Sequence, residues 1–279
     1  MRIDDNGFYW FRQSWLNDFM LCPERARIAA FHPHLLPQDK DGTDATTFGT
    51  AVHMAIELFL QGATVKQAYE TAWTWLEQQW LDETFRIVSI KRSDTHKRYL
   101  ANCLEAWIND LYPQLMNAHP TQGMEHTFNH IVEPGRWGLS GTWDYLDEYD
   151  TLWDWKTAGS NFRLQYGPKA LLKKVQPTVY ALALRAWQRG DMSVEDVLFV
   201  YGIMVKGSVP EAVTRHVTRN VSHFEWLCRQ VDAVIHLYEQ VGPDEAWPLH
   251  DNEWHCSEEW CENWQNCKGS VVTVNKKQS

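Results

Sequence analysis

The sequence predicts an α/β fold in which helices flank a mixed β-sheet. Between about residues 124 and 158, three segments alternate apolar and polar side chains in the manner of strands, separated by a Pro-Gly turn and an acidic turn. A helix from near Gln176 and an apolar strand within residues 194–206 follow them. This order allows the later strand to add parallel to an earlier one through a crossover connection.

The composition predicts a packed globular protein, since 44% of the 279 residues are hydrophobic. Most of the 16 Trp should lie in its core, and some are candidates for stacking on unpaired bases. The formal net charge of −10 argues against a general polyanion-binding surface. The basic segments Lys169–Lys174 and Lys91–Arg98 still permit local contacts to a phosphate backbone.

The sequence contains no sign of a membrane segment or a secretory signal. No apolar run reaches the ~20 residues that span a bilayer, and the first ten residues, MRIDDNGFYW, carry acids where a signal peptide carries bases. We therefore expect a cytoplasmic protein.

Helical periodicity predicts the elements that precede the strands. Ser14 can cap a helix through WLNDFMLCPERARIAAF, which would carry Cys22 on its inner face. A second helix is expected from near Phe48. Two amphipathic, Trp-rich helices are expected over Val65–Trp80 and Asp94–Leu115.

We divide the chain into four parts. Residues 1–63 would hold the N-terminal helices, and residues 64–120 a helical insertion or arch. The core, residues 121–241, would end with a strand in EAVTRHVTRN and a long helix over Ser222–Gln240. Residues 242–279 would form a Cys-rich metal-binding segment with a disordered polar tail.

The segment GTWDYLDEYDTLWDWKTA is expected to bring two carboxylates together. If Asp147 pairs with Thr151 around a three-residue loop, Asp144 lies directly opposite Asp154. Directly opposed Cβ atoms are ~4.5–5.5 Å apart, so both carboxylates can hold one small cation.

Lys156 should lie on the same face of the strand as Asp154, because side chains two apart share a face, while Trp153 and Trp155 point the other way. Hydrolysis of a phosphodiester needs such a set: oxygen ligands for Mg²⁺ or Mn²⁺, a water activated by the cation, and a nearby positive charge. The alternative from these residues alone is an exposed hairpin with an incidental Asp-Lys pair.

The order of these motifs resembles the RecB-like branch of the PD-(D/E)XK nuclease superfamily. There, a helix with a metal-binding His precedes a G-x-x-D strand, a (D/E)-x-K strand and a Q-x-x-x-Y helix. The matching residues are His53 in FGTAVHMAIE, Asp144 in GTWD, Asp154 and Lys156 in DWK, and Gln176 and Tyr180 in QPTVY.

The resemblance implies a restriction-endonuclease-like core and a metal site within it. His53, Asp144 and Asp154 would bind Mg²⁺ or Mn²⁺, and the backbone carbonyl of Trp155 would complete the shell. Glu125, on the first strand, is an accessory candidate because many relatives have an acid there. By its position alone, His53 on an apolar helix also fits a core histidine.

The resemblance also assigns roles around the metal. Lys156 would be the catalytic lysine, and Gln176 and Tyr180 would support it or touch the DNA. By spacing alone, the last two also fit plain packing. Pro177 requires Gln176 to lie at the start of its helix, since proline fits only the first turn.

The cysteines fall into two groups. Cys103 and Cys228 lie within helical patterns and are expected to be buried thiols. The others are better candidates for metal binding than for disulfides, because no secretory signal is present. They are Cys22, Cys256, Cys261 and Cys267.

These four cysteines resemble those of the iron-sulfur nucleases of the AddB type and of the CRISPR-associated RecB-like exonucleases. The resemblance implies a [4Fe-4S] cluster, for which thiolates are suitable ligands. Zn²⁺ with His250 or His255 in place of one cysteine, and free thiols, remain alternatives.

Three functions follow as hypotheses. The resemblance implies an exonuclease that hydrolyses DNA at ends or on single strands during recombination, repair or processing, together with a helicase or recombination partner. The second hypothesis is a non-catalytic, cluster-stabilised DNA-binding module or helicase partner, against which the complete ligand set counts. The third is a regulatory protein that mimics DNA, which the net charge of −10 permits but the motifs do not suggest.

Overall fold

A computed structural model describes residues 1–36, 43–82, 93–188, 196–249, 256–257 and 261–269. In this part of the chain, a seven-stranded mixed sheet lies between two groups of helices, which confirms the predicted α/β fold. The strands are β1 (Arg2–Ile3), β2 (Tyr9–Arg12), β3 (Met124–Glu133), β4 (Trp137–Leu146), β5 (Leu152–Ala158), β6 (Val197–Val205) and β7 (Ala212–Arg219). The helices are α1 (Gln13–Leu21), α2 (Pro23–Phe31), α3 (Asp44–Leu60), α4 (Val65–Leu81), α5 (Ser93–Ala106), α6 (Phe162–Gln165), α7 (Pro168–Lys173), α8 (Gln176–Gln188) and α9 (Val221–Val241).

Some sequence predictions fall outside the described residues. They concern His250, His255, the start of the basic segment 91–98 and the polar tail beyond residue 269. None of the described helices has the length and apolar character that crossing a membrane requires.

The strand order is β1-β2-β4-β5-β6-β7, with β3 also paired to β4. β3, β4 and β5 form the predicted antiparallel meander, and β6 adds parallel to β5 as expected. β2 was not predicted, because its four residues, YWFR, are too few for an alternation to stand out. It pairs parallel to β4.

One edge of β4 is shared by two strands. β3 follows the opposite edge along nearly the whole of β4. On the shared edge, β2 pairs as far as Ser140, and β5 pairs only with Tyr145 and Leu146. None of the described strands covers residues 141–144 on this edge, because β5 turns away to pair with β6 over its full length. We call this opening the fork.

The two faces of the sheet support separate cores. α1, α8 and α9 cover one face, and α3, α4 and α5 cover the other. α3 contacts its core through a stripe at i, i+3, i+4, i+7 and i+8, as expected of an amphipathic helix. Trp155 fits into the second core because a Cβ at Gly202 would lie 2.7 Å from its indole ring.

The predicted insertion packs as a layer of helices. α4 and α5 lie against α3, and the chain continues past α5 as a π-helical turn over Trp107–Leu111. Trp73 and Trp107 are buried in the second core. These two tryptophans are therefore packing residues and are not available to stack on bases.

The first predicted helix is two helices. α1 ends at Leu21 and α2 begins at Pro23, with Cys22 between them in an extended conformation (φ −161°). Proline disfavours the helical conformation in the residue before it, so the helix breaks at Cys22. The prediction that Ser14 caps the helix was wrong, since α1 begins at Gln13, two residues earlier than such a cap requires, and its N-cap is Arg12.

α3 begins before the predicted start near Phe48. The Thr43 side chain accepts a hydrogen bond from the backbone N–H of Thr46, and the Thr46 side chain accepts one from that of Thr43. This capping box satisfies two otherwise unpaired N–H groups and adds a turn to the helix.

The segment after α9 is held to α2 through a buried ion pair. Arg27 donates to both carboxylate oxygens of Glu24, at 2.8 and 2.7 Å, and to the carbonyl of Pro243 at 2.6 Å. Glu24 also accepts the backbone N–H of Trp247 at 2.8 Å. One ion pair thus joins two parts of the chain that are far apart in sequence.

Replacing Glu24 should destabilise the protein strongly. Glu24→Ala leaves the Arg27 guanidinium buried without its partner, which costs on the order of 3–5 kcal/mol. A urea titration followed by circular dichroism should show a lower midpoint. Glu225→Ala removes an exposed carboxylate that lies 3.9 Å from Arg229 and should change the free energy of unfolding by less than about 0.5 kcal/mol. Equal effects of the two substitutions would contradict the role of the buried pair.

Candidate metal and catalytic site

The fork fixes the first acid. The β4–β5 register is as predicted at Tyr145 and Leu146, and its continuation would place Asp144 opposite Asp154. The strands part there instead, and Asp144 Oδ2 accepts the backbone N–H of Trp155 at 2.6 Å. The carboxylate therefore replaces the ladder acceptor that the diverging strand no longer provides.

The second acid is held by two side chains. Asp154 is only 2% exposed; Lys156 Nζ lies 2.5 Å from its Oδ2, and Gln176 Nε2 donates to its Oδ1 at 2.6 Å. Burial raises the pKa of Asp154 to about 6, although Lys156 opposes the shift. Burial disfavours the Lys156 ammonium, but Asp154 and Asp144 outweigh this effect and raise its pKa. Lys156 therefore remains charged.

His53, on α3, lies close to two carboxylates, those of Asp144 and Glu125. Its Nε2 lies 2.8 Å from the carbonyl oxygen of Trp155, so Nε2 carries the proton that is donated there. Its Nδ1 lies 3.6 Å from Asp144 Oδ2 and 3.9 Å from Glu125 Oε1. One ligand atom from each of the three residues falls within 4.8 Å of the others. Asp154, which is also predicted as a ligand, contacts Lys156 and Gln176.

Glu125 is an accessory candidate that the structure brings fully into the site. Its backbone adopts a positive φ of 39°, which is uncommon outside glycine and recurs at functional sites. Burial and the nearby Asp144 raise the pKa of its carboxyl to about 8. Its position on a strand gave no signal of this local geometry.

Hydrogen bonds from Arg219 fix the start of α8. α8 begins at Gln176, as Pro177 requires. Arg219, which has no sequence signal of a role here, is buried and donates to Thr178 Oγ1 at 2.8 Å and to two backbone carbonyls before α8. Tyr180, one turn further on, is buried, and its pKa is raised by burial and by the nearby Asp154. This anchoring holds Gln176 against Asp154.

The donor set fits a divalent cation. Carboxylate and carbonyl oxygens with one imidazole suit Mg²⁺ or Mn²⁺. Asp154 Oδ2 is buried and has no hydrogen-bond partner among the described residues apart from the ion pair with Lys156. His53, Glu125 and Lys156 also line one cavity of about 570 Å³, which gives a substrate access to the group.

The four predicted cysteine ligands also meet. One small pocket is lined by Cys22, Cys256, Cys261 and Cys267, and none of them forms a disulfide. Two hydrogen bonds hold residues 261–269 against the N-terminal helices. Asn263 donates to the carbonyl of Arg25, and Asn266 donates to the carbonyl of Leu35. Burial raises the pKa of the Cys261 thiol.

The other two cysteines lie elsewhere. Cys103 is fully buried in the core beneath α3, as expected of an ordinary buried thiol. Cys228 is half-buried and packs against the opposite core.

Comparison with known proteins identifies a family and similar solved structures. The model of the PD-(D/E)XK nuclease superfamily matches residues 12–268. The crystal structure of a "Putative exonuclease" from Eubacterium rectale has a TM-score of 0.56 at 12% identity, covering 96% of this chain and 94% of that chain. The crystal structure of a protein named SSO0001 has a TM-score of 0.35 at 12% identity, covering 92% and 95%. No curated protein matches the sequence.

The carboxylates at the fork should bind Mn²⁺ in solution. Asp144→Asn and Glu125→Gln each remove one charged oxygen donor, so each should weaken Mn²⁺ binding about tenfold or more, equivalent to about 1.4 kcal/mol. Isothermal titration calorimetry measures this directly. Asp110→Asn, at an exposed position away from the site, should leave the affinity unchanged. Unchanged binding in both site variants would rule out this ligand set.

Proposed function

The chain belongs to the PD-(D/E)XK nuclease superfamily, and from this membership we propose that it is a metal-dependent deoxyribonuclease that hydrolyses phosphodiester bonds. One observation carries the proposal: two buried acids and a charged lysine, Asp144, Asp154 and Lys156, converge at the fork. Such an arrangement is costly to bury, and perturbed pairs of this kind concentrate at catalytic sites. A non-catalytic DNA-binding module would have no need to keep it.

The cation would be held by His53 Nδ1 and the carboxylates of Glu125 and Asp144, with Asp154 as the neighbouring acid. A bound Mg²⁺ or Mn²⁺ supplies the Lewis acidity that lowers the pKa of water and offsets charge on a phosphate. His53 is oriented for this role by its hydrogen bond to the carbonyl of Trp155.

The lysine and the glutamine would act on either side of Asp154. Lys156, which its acidic neighbours keep protonated, would stabilise the negative charge that develops on the phosphate oxygens. Gln176 holds one oxygen of Asp154 and so fixes the direction of the other, while Tyr180 packs behind it. Both are positioning residues in this arrangement.

We further propose the RecB-like branch and an exonuclease that acts on DNA ends or single strands in recombination or repair. The order of the motifs from His53 to Tyr180 supports the branch. The name of the Eubacterium rectale protein supports the exonuclease mode. A helicase or recombination partner would supply substrates of this kind.

The four cysteines of the C-terminal pocket are proposed to bind a [4Fe-4S] cluster. The four cysteines line one small pocket, and none of them forms a disulfide. Four soft sulfur donors brought together in this way suit an iron-sulfur cluster. Its role would be to fasten the C-terminal segment.

Substitutions at the fork should abolish cleavage without unfolding the protein. Asp144→Ala, Asp154→Ala and Lys156→Ala should each lower kcat by at least about 10²-fold, because each removes part of one charge-stabilising assembly. The assay uses end-labelled single-stranded DNA with Mg²⁺ or Mn²⁺, with thermal melts to check folding. Lys66→Ala, at an exposed position on α4, is the matched control and should keep full activity.

The same assay tests the mode of cleavage. A linear strand should be degraded, and a covalently closed single-stranded circle should resist. Normal activity in any two of the three variants would refute the proposed site, whereas efficient cleavage of the circle would refute only the exonuclease mode.

Protein made with iron and purified without oxygen should be brown, with broad absorption near ~400 nm as thiolate-bound iron clusters show. Replacing any of Cys22, Cys256, Cys261 or Cys267 with Ser should bleach this colour. Cys103→Ala and Cys228→Ala, which change thiols outside the pocket, should leave it intact. A colourless protein with stoichiometric zinc would disprove the cluster.

A further inference from the structure

A second polar cavity lies beside the fork. It has a volume of about 540 Å³ and is bounded by β2, the start of α1, and β3 and β4. We call it the groove. The residues that matter for its chemistry are Arg2, Trp10, Arg12, Ser14, Thr127 and Thr142.

The groove continues from the carboxylate site along two paired strands. Thr142 precedes Asp144 by two residues on β4, and Thr127 follows Glu125 by two residues on β3. The two threonines are partners in the ladder, and their hydroxyl oxygens are 2.9 Å apart. Two residues along a strand correspond to ~7 Å. The hydroxyl pair is therefore the first polar step away from the acids.

The next step carries positive charge. Arg12 is the register partner of Ser140 on β4, four residues from Asp144, which corresponds to ~13 Å along the strand. Arg2 lies further along. Both guanidiniums are exposed, and neither forms an ion pair within the described ranges of the chain. In a chain with a net charge of −10, two arginines that line one cavity next to a cluster of acids are a local reversal of the overall charge, although Asp4 offsets part of the charge of Arg2.

The start of α1 adds to this positive potential. Gln13 and Ser14, in its first turn, line the groove, and the N-cap Arg12 makes no side-chain capping hydrogen bond. The N–H groups of the first helical turn are thus left without a side-chain cap, which favours an anion beside the arginines.

An aromatic side chain closes the far end. The Trp10 indole lies over Gly138, where a Cβ would come within 2.8 Å of the ring, and Asp4 accepts its N–H at 3.4 Å. The Arg2 guanidinium lies 5.9 Å from the centre of the same ring. Positive charge beside an aromatic ring is found where single-stranded nucleic acid is bound without sequence preference.

We propose that the groove binds the single DNA strand adjoining the bond to be cut. Arg12 and Arg2 contact phosphates of that strand, and the threonine pair contacts the backbone nearest the fork. Trp10, which packs against Phe8 and Arg2, borders the far end. The volume is that of a site for one small ligand, which fits part of a single strand better than the width of a duplex. The inference rests on the proposed nuclease function and adds a second binding site, with the residues that would hold the single strand.

Binding without cleavage tests the groove separately from the nuclease. The probe is a fluorescein-labelled 12-nucleotide oligo(dT), titrated with protein in EDTA at several salt concentrations and followed by anisotropy. Removing two phosphate contacts in R2Q/R12Q should weaken binding about tenfold or more and reduce the slope of log K against log salt by about 1.4. R12K keeps the charge at that position and should retain the wild-type slope.

The matched control is K66Q/R229Q, which removes two charges from exposed positions on α4 and α9 and should bind like the wild type. A further readout is the kinetics, in which R2Q/R12Q should raise KM on linear single-stranded DNA with kcat nearly unchanged.

The possible results separate the two claims. Equal affinity and slope for R2Q/R12Q and the wild type, or no binding by the wild type, would overturn the groove even if the protein cleaves DNA. Preference of the wild type for a 12-base-pair duplex over the single strand would overturn it as well. Weakened binding by R2Q/R12Q in a protein that cleaves nothing with Mg²⁺ or Mn²⁺ would support the groove and refute the nuclease.

Discussion

The structure depends on one interruption of β-ladder hydrogen bonding. β4 serves two neighbours on a single edge, and β5 leaves it after two residue pairs to follow β6. The Trp155 N–H lies where the strands part, and the Asp144 carboxylate accepts it. An acid at this point therefore satisfies a backbone N–H, and the same acid is one of the ligands that we propose for the cation. The carboxylate site and the groove lie at the two ends of the resulting opening, so a single feature of the topology creates both.

Carboxylates near the fork repel one another, and buried neighbouring side chains offset part of this repulsion. Three carboxylates lie close together and are largely withdrawn from water, which raises the pKa of Asp154 to about 6 and that of Glu125 to about 8. Lys156 and Gln176 stabilise one of them. Arg219 holds the start of the helix that carries the glutamine. Packing and buried hydrogen bonds therefore hold these carboxylates close together despite their repulsion. A divalent cation bound among them would remove that repulsion.

The sequence was informative where local rules decide the structure. The hairpin register followed from its turn, and the position of Gln176 followed from Pro177. The residue at which β5 leaves β4 could not be predicted, because it depends on pairing with β6, where the partner of Asp154 is Tyr201, 47 residues later in the chain. Local features of Glu125 and Arg219 did not reveal their contacts, because both depend on tertiary packing. The break at Cys22, in contrast, was available from Pro23.

α1 connects the groove with the cysteine pocket. Its first turn lines the groove, and its last residue precedes Cys22 in the cysteine pocket. The helix has nine residues, which corresponds to ~13 Å, and Trp15 and Leu16 fix it in the core. The carboxylates, in contrast, are carried by β3, β4 and β5. The contacts that hold the C-terminal segment therefore lie near one end of α1 and the groove lies at the other, while the sheet carries the carboxylates.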